Sequence, residues 1–209
     1  QKGVIFPSDI VPADDYMKDK LSYILHGDTK HYRTLHRIRN KHISARLNLR
    51  NTPYFFEKNG NFISQYRMSS GECLLISLLH FIYNSLERKS LPQDETILML
   101  IDEIELALHP VAVLRFLELL QDLVKRNQHL VVYLTTHSPE VIKALSPNSI
   151  FLVENINGTI ILNNPCYPSF AIRDIYAHDG FDFVFLVEDR LAKIVLDKLF
   201  RREKILENN

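Results

Sequence analysis

The sequence is poor in glycine and cysteine and has no long apolar run, and each shortage excludes a class of protein. Only six glycines occur in 209 residues, and none begins the Gly-x-x-x-x-Gly-Lys-Ser/Thr pattern of a phosphate-binding loop. Two cysteines, Cys73 and Cys166, are too few for a disulfide framework, which favours a reduced, cytoplasmic setting. The longest apolar runs are far shorter than a membrane span, so no membrane partner is expected.

Neither sign of charge is in excess over the whole chain, but the charges are unevenly distributed. The 25 lysines and arginines match 25 aspartates and glutamates. Residues 1–67 carry a net charge of +6 and residues 68–209 a net charge of −6. Residues 30–50 hold no acidic side chain and seven basic ones: Lys30, Arg33, Arg37, Arg39, Lys41, Arg46 and Arg50. This basic segment is either a solvated helical face or a surface for nucleic-acid phosphates or an acidic partner.

The hydrophobic pattern predicts an α/β fold with a mainly parallel sheet. Residues 14–47 are predicted to be helical with a break near Gly27, and residues 53–67 to be extended. Further helices are predicted at 71–88, 110–126, 139–145 and 191–202. Apolar runs typical of strands buried on both faces occur at 96–101, 130–135 and 183–187, with a hairpin around Asn157 and Gly158. Strands that alternate with helices favour a parallel sheet.

Polar side chains follow two of the predicted strands. Asp102 and Glu103 come directly after the first, and His137 follows the second. Ligands of open α/β sheets bind at the carboxyl ends of the strands. An aspartate there can hold Mg²⁺ beside nucleotide phosphates, a glutamate can deprotonate water, and a histidine can donate a hydrogen bond to a γ-phosphate. The simpler alternative is that these residues only cap the helices that follow.

A serine-rich segment precedes the first long apolar helix. It consists of Ser69, Ser70, Gly71 and Glu72. Hydroxyls and free backbone N–H groups at a helix N-terminus can bind an anion. The same residues also fit an ordinary helix cap in which serine and glutamate bond each other's backbone.

The order and spacing of these motifs resemble the C-terminal half of an ABC-type ATPase head. Residues 69–72 resemble its signature motif, residues 98–103 its Walker B strand, and His137 its switch histidine. His109, in a Leu-His-Pro segment, stands where transporters carry the aspartate of the D-loop. The combination is similar to the SMC-like ATPases of the OLD and Septu antiphage-defence type, over roughly residues 66–155.

The resemblance implies a role for each position. Asp102 would serve a Mg²⁺ ion, Glu103 would be the general base for water, and His137 would sense the γ-phosphate of ATP. The residues implied to contact ATP are Ser69, Ser70, Gly71, Glu72 and His109. A signature motif acts on the ATP of a second subunit, so the resemblance implies a head-to-head dimer with two ATP molecules between the subunits. In Septu systems and Septu-containing retrons a separate HNH protein supplies the nuclease, which makes such an effector the implied partner.

The sequence is accordingly divided into three predicted parts. These are a basic helical insertion or lid at 1–65, half of an ATPase head at 66–165, and a linker with the start of a degenerate TOPRIM-like region at 166–209. The last part rests on a strand ending at Glu188, but Asp189 replaces the usual glycine and no Asp-x-Asp pair follows. Metal-dependent nuclease chemistry needs several carboxylates, so none is expected at Glu188.

Three functions agree with these features. The first is a Mg²⁺-dependent ATPase that dimerises around ATP and controls an effector nuclease, with its phosphate loop supplied by the rest of a longer protein or by a separate polypeptide. The second is a nucleotide-responsive scaffold with little hydrolysis. The third is a DNA-repair ATPase acting on DNA ends, in which Arg33, Arg37 and Arg39 would contact phosphates.

Overall fold

A computed structural model describes residues 5–49, 51–87, 96–175 and 185–202. The chain forms two compact units, Gln1–Leu145 and Ser146–Asn209. These units differ from the three parts predicted from the sequence, whose boundaries stay predictions.

The first unit begins with a four-stranded antiparallel sheet in the order β1-β2-β3-β4. Its strands are β1 (Ile10–Pro12), β2 (Leu35–Ile38), β3 (Tyr54–Lys58) and β4 (Asn61–Ser64). Helix α1 (Asp15–His26) lies between the first two strands, and the short helix α2 (Lys41–Arg46) lies between β2 and β3. The predicted turn between β3 and β4 is confirmed, because Asn59 and Gly60 adopt the left-handed φ values of 52° and 74° that a two-residue hairpin loop requires.

The prediction that residues 14–47 are helical is wrong for residues 35–38, which form β2, whereas α1 and α2 lie within the predicted range. Gly27, with φ of 77°, ends α1 as a left-handed cap, so the predicted break is confirmed. Beyond it the chain forms β2, whose buried residues Leu35 and Ile38 are three positions apart. That spacing is typical of one face of a helix, whereas in a strand it places the two side chains on opposite faces. Whether this segment forms a helix or a strand is decided by the pairing of β2 with β1 and β3. Local periodicity does not reveal that pairing.

The rest of the first unit is a βαβ arrangement preceded by a helix. Helix α3 (Ser70–Ile82) continues as a π-helical turn at Tyr83–Glu87. The elements that follow are β5 (Ile97–Ile101), α4 (Pro110–Arg126), β6 (Leu130–Leu134) and α5 (Pro139–Lys143). Strands β5 and β6 pair in parallel, from Ile97 opposite Leu130 to Ile101 opposite Leu134, with α4 as the crossover between them.

One apolar core joins the helices of this unit. Helix α1 contributes Met17, Leu21 and Ile24, all completely buried, at the spacing of one helical face. Helix α3 contributes a similar stripe, and Phe116 of α4 is also completely buried. Each such side chain contributes roughly 1.5–3 kcal/mol when it leaves water. This core sets the position of α3 relative to the strands, and with it the position of the serine-rich segment.

Strands β5 and β6 are buried on one face only, so the prediction that both faces are covered is wrong. The exposed side chains alternate with buried ones and form what we call the apolar sheet face: Leu98, Leu100, Val131 and Tyr133, exposed by 55, 71, 39 and 56%. A parallel sheet normally carries a layer on each side. The expectation of a mainly parallel sheet is met only by β5 and β6, because the other paired strands of the described residues are antiparallel.

The second unit begins with the predicted hairpin. Strands β7 (Leu152–Ile156) and β8 (Thr159–Asn163) pair antiparallel around Asn157 and Gly158, whose φ values are 52° and 87°. Helices α6 (Pro168–Ile175) and α7 (Arg190–Arg202) follow.

The predicted strand before α7 is not formed in its described part. Residues 185–187 have no regular structure, and residues 183–184 lie outside the described residues. Asp189 instead accepts a hydrogen bond from the Ala192 amide at 2.7 Å and so caps α7. None of the helices in the described ranges combines the length and apolar composition that crossing a bilayer requires.

Asp9 is a buried carboxylate that fixes the beginning of the antiparallel sheet. It accepts a hydrogen bond from the Phe6 amide at 2.9 Å, and its carboxylate lies 2.6 Å from Nη2 of Arg46. The Phe6 amide first, and the Arg46 guanidinium beside it, hold the pKa of Asp9 below its ordinary value of 3.8.

We expect Asp9→Asn to destabilise the protein at neutral pH and to have little effect in acid. A carboxyl whose folded-state pKa is lowered contributes stability above its unfolded-state pKa and loses it as the pH falls through the folded-state pKa. Urea unfolding of wild type and variant should therefore differ at pH 7 and converge below pH 3.8. Asp15→Asn, at an exposed carboxylate paired with Lys18, is the control. A difference unchanged down to pH 3 would contradict this account.

Candidate functional site

The parallel pairing of β5 and β6 brings the predicted catalytic residues to one edge of the sheet. Asp102 and Glu103 follow β5, and His137 comes three residues after β6. The Thr135 amide donates to the Ile101 carbonyl at 2.9 Å, which continues the parallel ladder one step beyond the strands. Nε2 of His137 lies 3.8 Å from Oε1 of Glu103. Glu103 and His137 therefore lie close together because of the register in which β5 and β6 pair.

Thr135 joins both carboxylate residues through its hydroxyl. That hydroxyl donates to Oδ1 of Asp102 at 2.5 Å and accepts a hydrogen bond from the Glu103 amide at 3.0 Å. One side chain therefore orients the first carboxylate and holds the backbone of the next residue. The sequence motifs give this threonine no role, although it lies at the end of a predicted strand.

Glu103 adopts a left-handed backbone conformation, with φ of 43° and ψ of 56°. For a residue other than glycine this costs on the order of 1–3 kcal/mol and persists only where the surroundings hold it. The hydrogen bond from its amide to Thr135 is one such restraint. Strain of this kind concentrates at active sites and switch segments, which supports a functional role for Glu103.

Glu105 holds the loop that carries the histidine. Its carboxylate accepts hydrogen bonds from the Thr136 hydroxyl at 3.0 Å and from the His137 amide at 2.5 Å. The Thr136 hydroxyl in turn accepts from the Ser138 amide at 3.0 Å. Glu105 therefore links the segment after β5 to the segment after β6. The sequence does not indicate this role of Glu105, because the local pattern does not show which backbone groups its carboxylate reaches.

The serine-rich segment forms the N-terminal cap of α3. The Ser69 hydroxyl accepts from the Glu72 amide at 3.2 Å, while one carboxylate oxygen of Glu72 accepts from both the amide and the hydroxyl of Ser69 at 2.8 Å. The capping interpretation is thus confirmed. Ser70, in the first turn, is exposed.

Gly71 brings this cap against the loop that follows Glu103. A methyl group at Gly71 would lie inside 3.0 Å of the Ala107 carbonyl oxygen and 3.2 Å from a methyl carbon of Leu108. Only glycine permits so close an approach of helix and loop. The signature-like segment therefore touches the loop that begins at the site edge.

His109 lies at the start of α4, where its Nδ1 accepts a hydrogen bond from the Val111 amide at 3.4 Å. Pro110 occupies the first helical position, as the sequence predicts. The ring of His109 is therefore a helix cap in this structure, and a contact with ATP stays a prediction.

The residues at the edge fit a magnesium ion. The Asp102 carboxylate and the Thr135 hydroxyl are hard oxygen ligands, and Mg²⁺ in nucleotide sites is held by one or two such groups together with phosphates. Across the ranges described, no group of three or more His, Cys, Asp or Glu side chains is placed to hold a metal. Such an ion would accordingly take most of its ligands from nucleotide and water.

The first unit thus carries an acidic pair and a histidine at the carboxyl edge of a parallel βαβ unit, as expected for an ATPase-type α/β fold. The AAA ATPase domain family matches residues 5–142, and the chain belongs to this family. ATP hydrolysis is accordingly supported at the level of the family.

Two known proteins resemble the chain. The retron Ec83 probable ATPase of Escherichia coli is 30% identical over 150 residues, which are 66% of this chain and 27% of that protein. The chain thus spans about a quarter of that relative. A solved SMC ATPase structure, described for ATP-driven dimerisation and DNA-stimulated activation, superposes with a TM-score of 0.54 at 15% identity. The matched region covers 80% of this chain and 91% of the chain in that structure. The similarity shows a common fold.

We expect Gly71→Ala to destabilise the first unit by about 1–3 kcal/mol, the usual cost of inserting a methyl group into a filled space. The new methyl would meet the backbone carbonyl of Ala107, which cannot rotate away as a side chain would. Chemical denaturation measures the loss. Ser70→Ala, at the neighbouring exposed position, should change stability little. Equal stability of the two variants would refute the close approach of α3 and this loop.

Proposed function

We propose that the protein is a Mg²⁺-dependent ATPase subunit of the SMC-like OLD and Septu type, which dimerises around ATP and controls an effector nuclease in antiphage defence. The observation that carries the proposal is the meeting of Asp102, Glu103 and His137 at the carboxyl edge of β5 and β6. Membership in the AAA ATPase domain family supports the ATPase part, and the E. coli retron relative supports the defence context.

Each residue at the edge has a distinct task in this proposal. Glu103 accepts a proton from the water that attacks the γ-phosphate. His137 donates a hydrogen bond to that phosphate and stabilises the charge that develops on it. Asp102, oriented by the Thr135 hydroxyl, would hold Mg²⁺, which when bound neutralises charge on the phosphates. Glu105 keeps the His137 backbone in place.

Solvent exposure of the site supports a dimer as the active state. The side chains of His137 and Glu103 are 69 and 41% exposed in the single chain. Water at such a site weakens electrostatic stabilisation of a transition state. A second copy that closed over the nucleotide would remove this water and supply the capped start of α3, with Ser69, Ser70, Gly71 and Glu72, to the ATP of its partner.

We propose that the phosphate loop comes from polypeptide outside these 209 residues, since no pair of glycines here has its pattern. The apolar sheet face supports this, because a parallel sheet with an uncovered hydrophobic side lacks one of its layers. We propose that the half carrying the phosphate loop covers this face. The effector would be an HNH-type nuclease, as the resemblance to Septu-containing retrons implies.

We expect Glu103→Gln in the full-length protein to lower ATP turnover by about 10²–10⁴-fold, the usual contribution of a general base. The variant should still bind Mg-ATP and should accumulate as an ATP-bound dimer, because only the chemical step is impaired. Phosphate release measures turnover, and sedimentation with and without ATP measures dimerisation. Glu118→Gln, at an exposed carboxylate of α4, serves as the control.

Three outcomes discriminate among the possible functions. Unchanged turnover and dimerisation in Glu103→Gln would overturn the assignment of the base. ATP binding without turnover in the wild-type protein would favour the scaffold. Unchanged turnover after replacement of Asp102 would show that this aspartate does not hold the proposed Mg²⁺ ion.

The basic segment 30–50 is a second candidate contact surface, for nucleic acid. Two of its arginines are engaged within the fold: Nε of Arg37 lies 3.6 Å from Asp14, and Arg46 pairs with Asp9. Arg33 and Arg39 are exposed, and Arg50 lies outside the described residues. We therefore propose that Arg33 and Arg39 contact phosphates, whereas Arg37 serves the fold.

We expect DNA binding by the full-length protein to weaken steeply with salt if this proposal holds. Replacing Arg33 and Arg39 by alanine should reduce the log-log salt slope by roughly 0.9 per contact, because each neutralised phosphate releases counterions. Arg126→Ala, at an exposed arginine of α4, should leave the slope unchanged. Binding that does not depend on salt would assign the segment to a protein partner instead.

A further inference from the structure

A buried tyrosine connects the basic segment to the capped start of α3. Tyr32 is 1% exposed, and its hydroxyl donates to Oε1 of Glu72 at 2.5 Å. The other carboxylate oxygen, Oε2, accepts from the amide and the hydroxyl of Ser69, each at 2.8 Å. A single carboxylate thus joins the tyrosine to the first serine of the signature-like segment.

Tyr32 is held in place by elements other than α3. Its amide donates to the hydroxyl of Ser22, a completely buried residue of α1, at 2.9 Å. Its ring contacts Phe56 of β3 edge-on, with ring centroids 5.1 Å apart. Gly27, which ends α1 before this turn, lies close to the guanidinium of Arg115, and that guanidinium donates to the Ile24 carbonyl at 3.3 Å. Helix α1 and β3 therefore determine where the tyrosine hydroxyl lies.

Glu72 accepts these hydrogen bonds as a carboxylate. Burial on its own would raise the pKa of Glu72, but the hydrogen bonds from Tyr32 and Ser69 outweigh burial and hold the pKa below its ordinary value. An ionised carboxylate is only an acceptor, so it can satisfy all three donors at once. Hydrogen bonds to a charged group are about twice as strong as those between neutral groups.

We propose that Tyr32 is a positioning residue for the signature-like segment. By fixing the Glu72 carboxylate, it sets the position of Ser69 at the start of α3, the segment that we propose meets ATP bound to a second copy of the chain. The assignment rests on the function proposed above.

The test compares two buried tyrosines that both bond to residues of α3. Tyr32→Phe removes the hydroxyl that reaches Glu72 and keeps the ring. Tyr54→Phe, the matched control, removes a hydroxyl 2.9 Å from Nδ1 of His80, near the opposite end of the helix. Both variants are made in the full-length protein, and thermal unfolding records any general loss of stability.

Amide hydrogen exchange at Ser69 reports the positioning directly. In Tyr32→Phe we expect exchange at this amide to accelerate about tenfold, the loss of one hydrogen bond to a charged group. Tyr54→Phe should leave it unchanged. Glu72→Gln should accelerate it as well, and this second variant keeps the comparison available if Tyr32→Phe does not fold. Unchanged exchange at Ser69 in Tyr32→Phe would overturn the proposal. If Tyr32→Phe does not fold, unchanged exchange in Glu72→Gln would overturn it.

ATP-driven dimerisation reports the functional consequence. Tyr32→Phe should weaken it about tenfold, while the affinity of each subunit for Mg-ATP stays the same, because Ser69 serves the partner's nucleotide. Combining Tyr32→Phe with Glu72→Gln should add little to either single change, since both act through one carboxylate. Additive effects would overturn the proposal. If the wild-type protein neither hydrolyses ATP nor dimerises with it, the proposed function fails, and exchange at Ser69 still decides the role of Tyr32.

Discussion

The parallel pairing of β5 with β6 is the interaction on which the candidate site depends. Ile101 lies opposite Leu134, so the residues that follow the two strands leave the sheet at the same edge. A shift of one residue would move every side chain of a strand to the opposite face. The separation of Glu103 from His137 is thus set by backbone hydrogen bonds and by the apolar residues that hold the strands against α4.

Three carboxylates join parts of the first unit through polar contacts that the apolar core does not make. Asp9 joins the start of the antiparallel sheet to α2, Glu72 joins Tyr32 to the cap of α3, and Glu105 joins the loops after β5 and β6. Each accepts two or more hydrogen bonds or ion-pair contacts, and hydrogen bonds to charged groups are stronger than those between neutral groups. One acidic side chain thus links each of the signature-like segment, the basic segment and the candidate site to another part of the first unit.

Two surfaces of the first unit are open to solvent. The apolar sheet face leaves Leu100 71% exposed, in a place where parallel sheets normally carry a second layer. The candidate catalytic edge is open to bulk solvent, which weakens the electrostatic stabilisation of a phosphate undergoing attack by a single bound water. Both features fit the proposals that a phosphate-loop half covers the sheet face and that a second copy closes over the edge.

The sequence by itself determined the elements with strong local signals. The helices at α3, α4 and α7, the turns at Asn59 and Asn157, and the polar residues after β5 and β6 all follow from periodicity, turn chemistry and motif spacing. Only the tertiary structure decided that β2 is a strand, that β5 and β6 are covered on one side, and that Glu105 and Tyr32 reach the site segments. These features depend on pairing between residues far apart in the chain, and local sequence carries no record of which segments will meet.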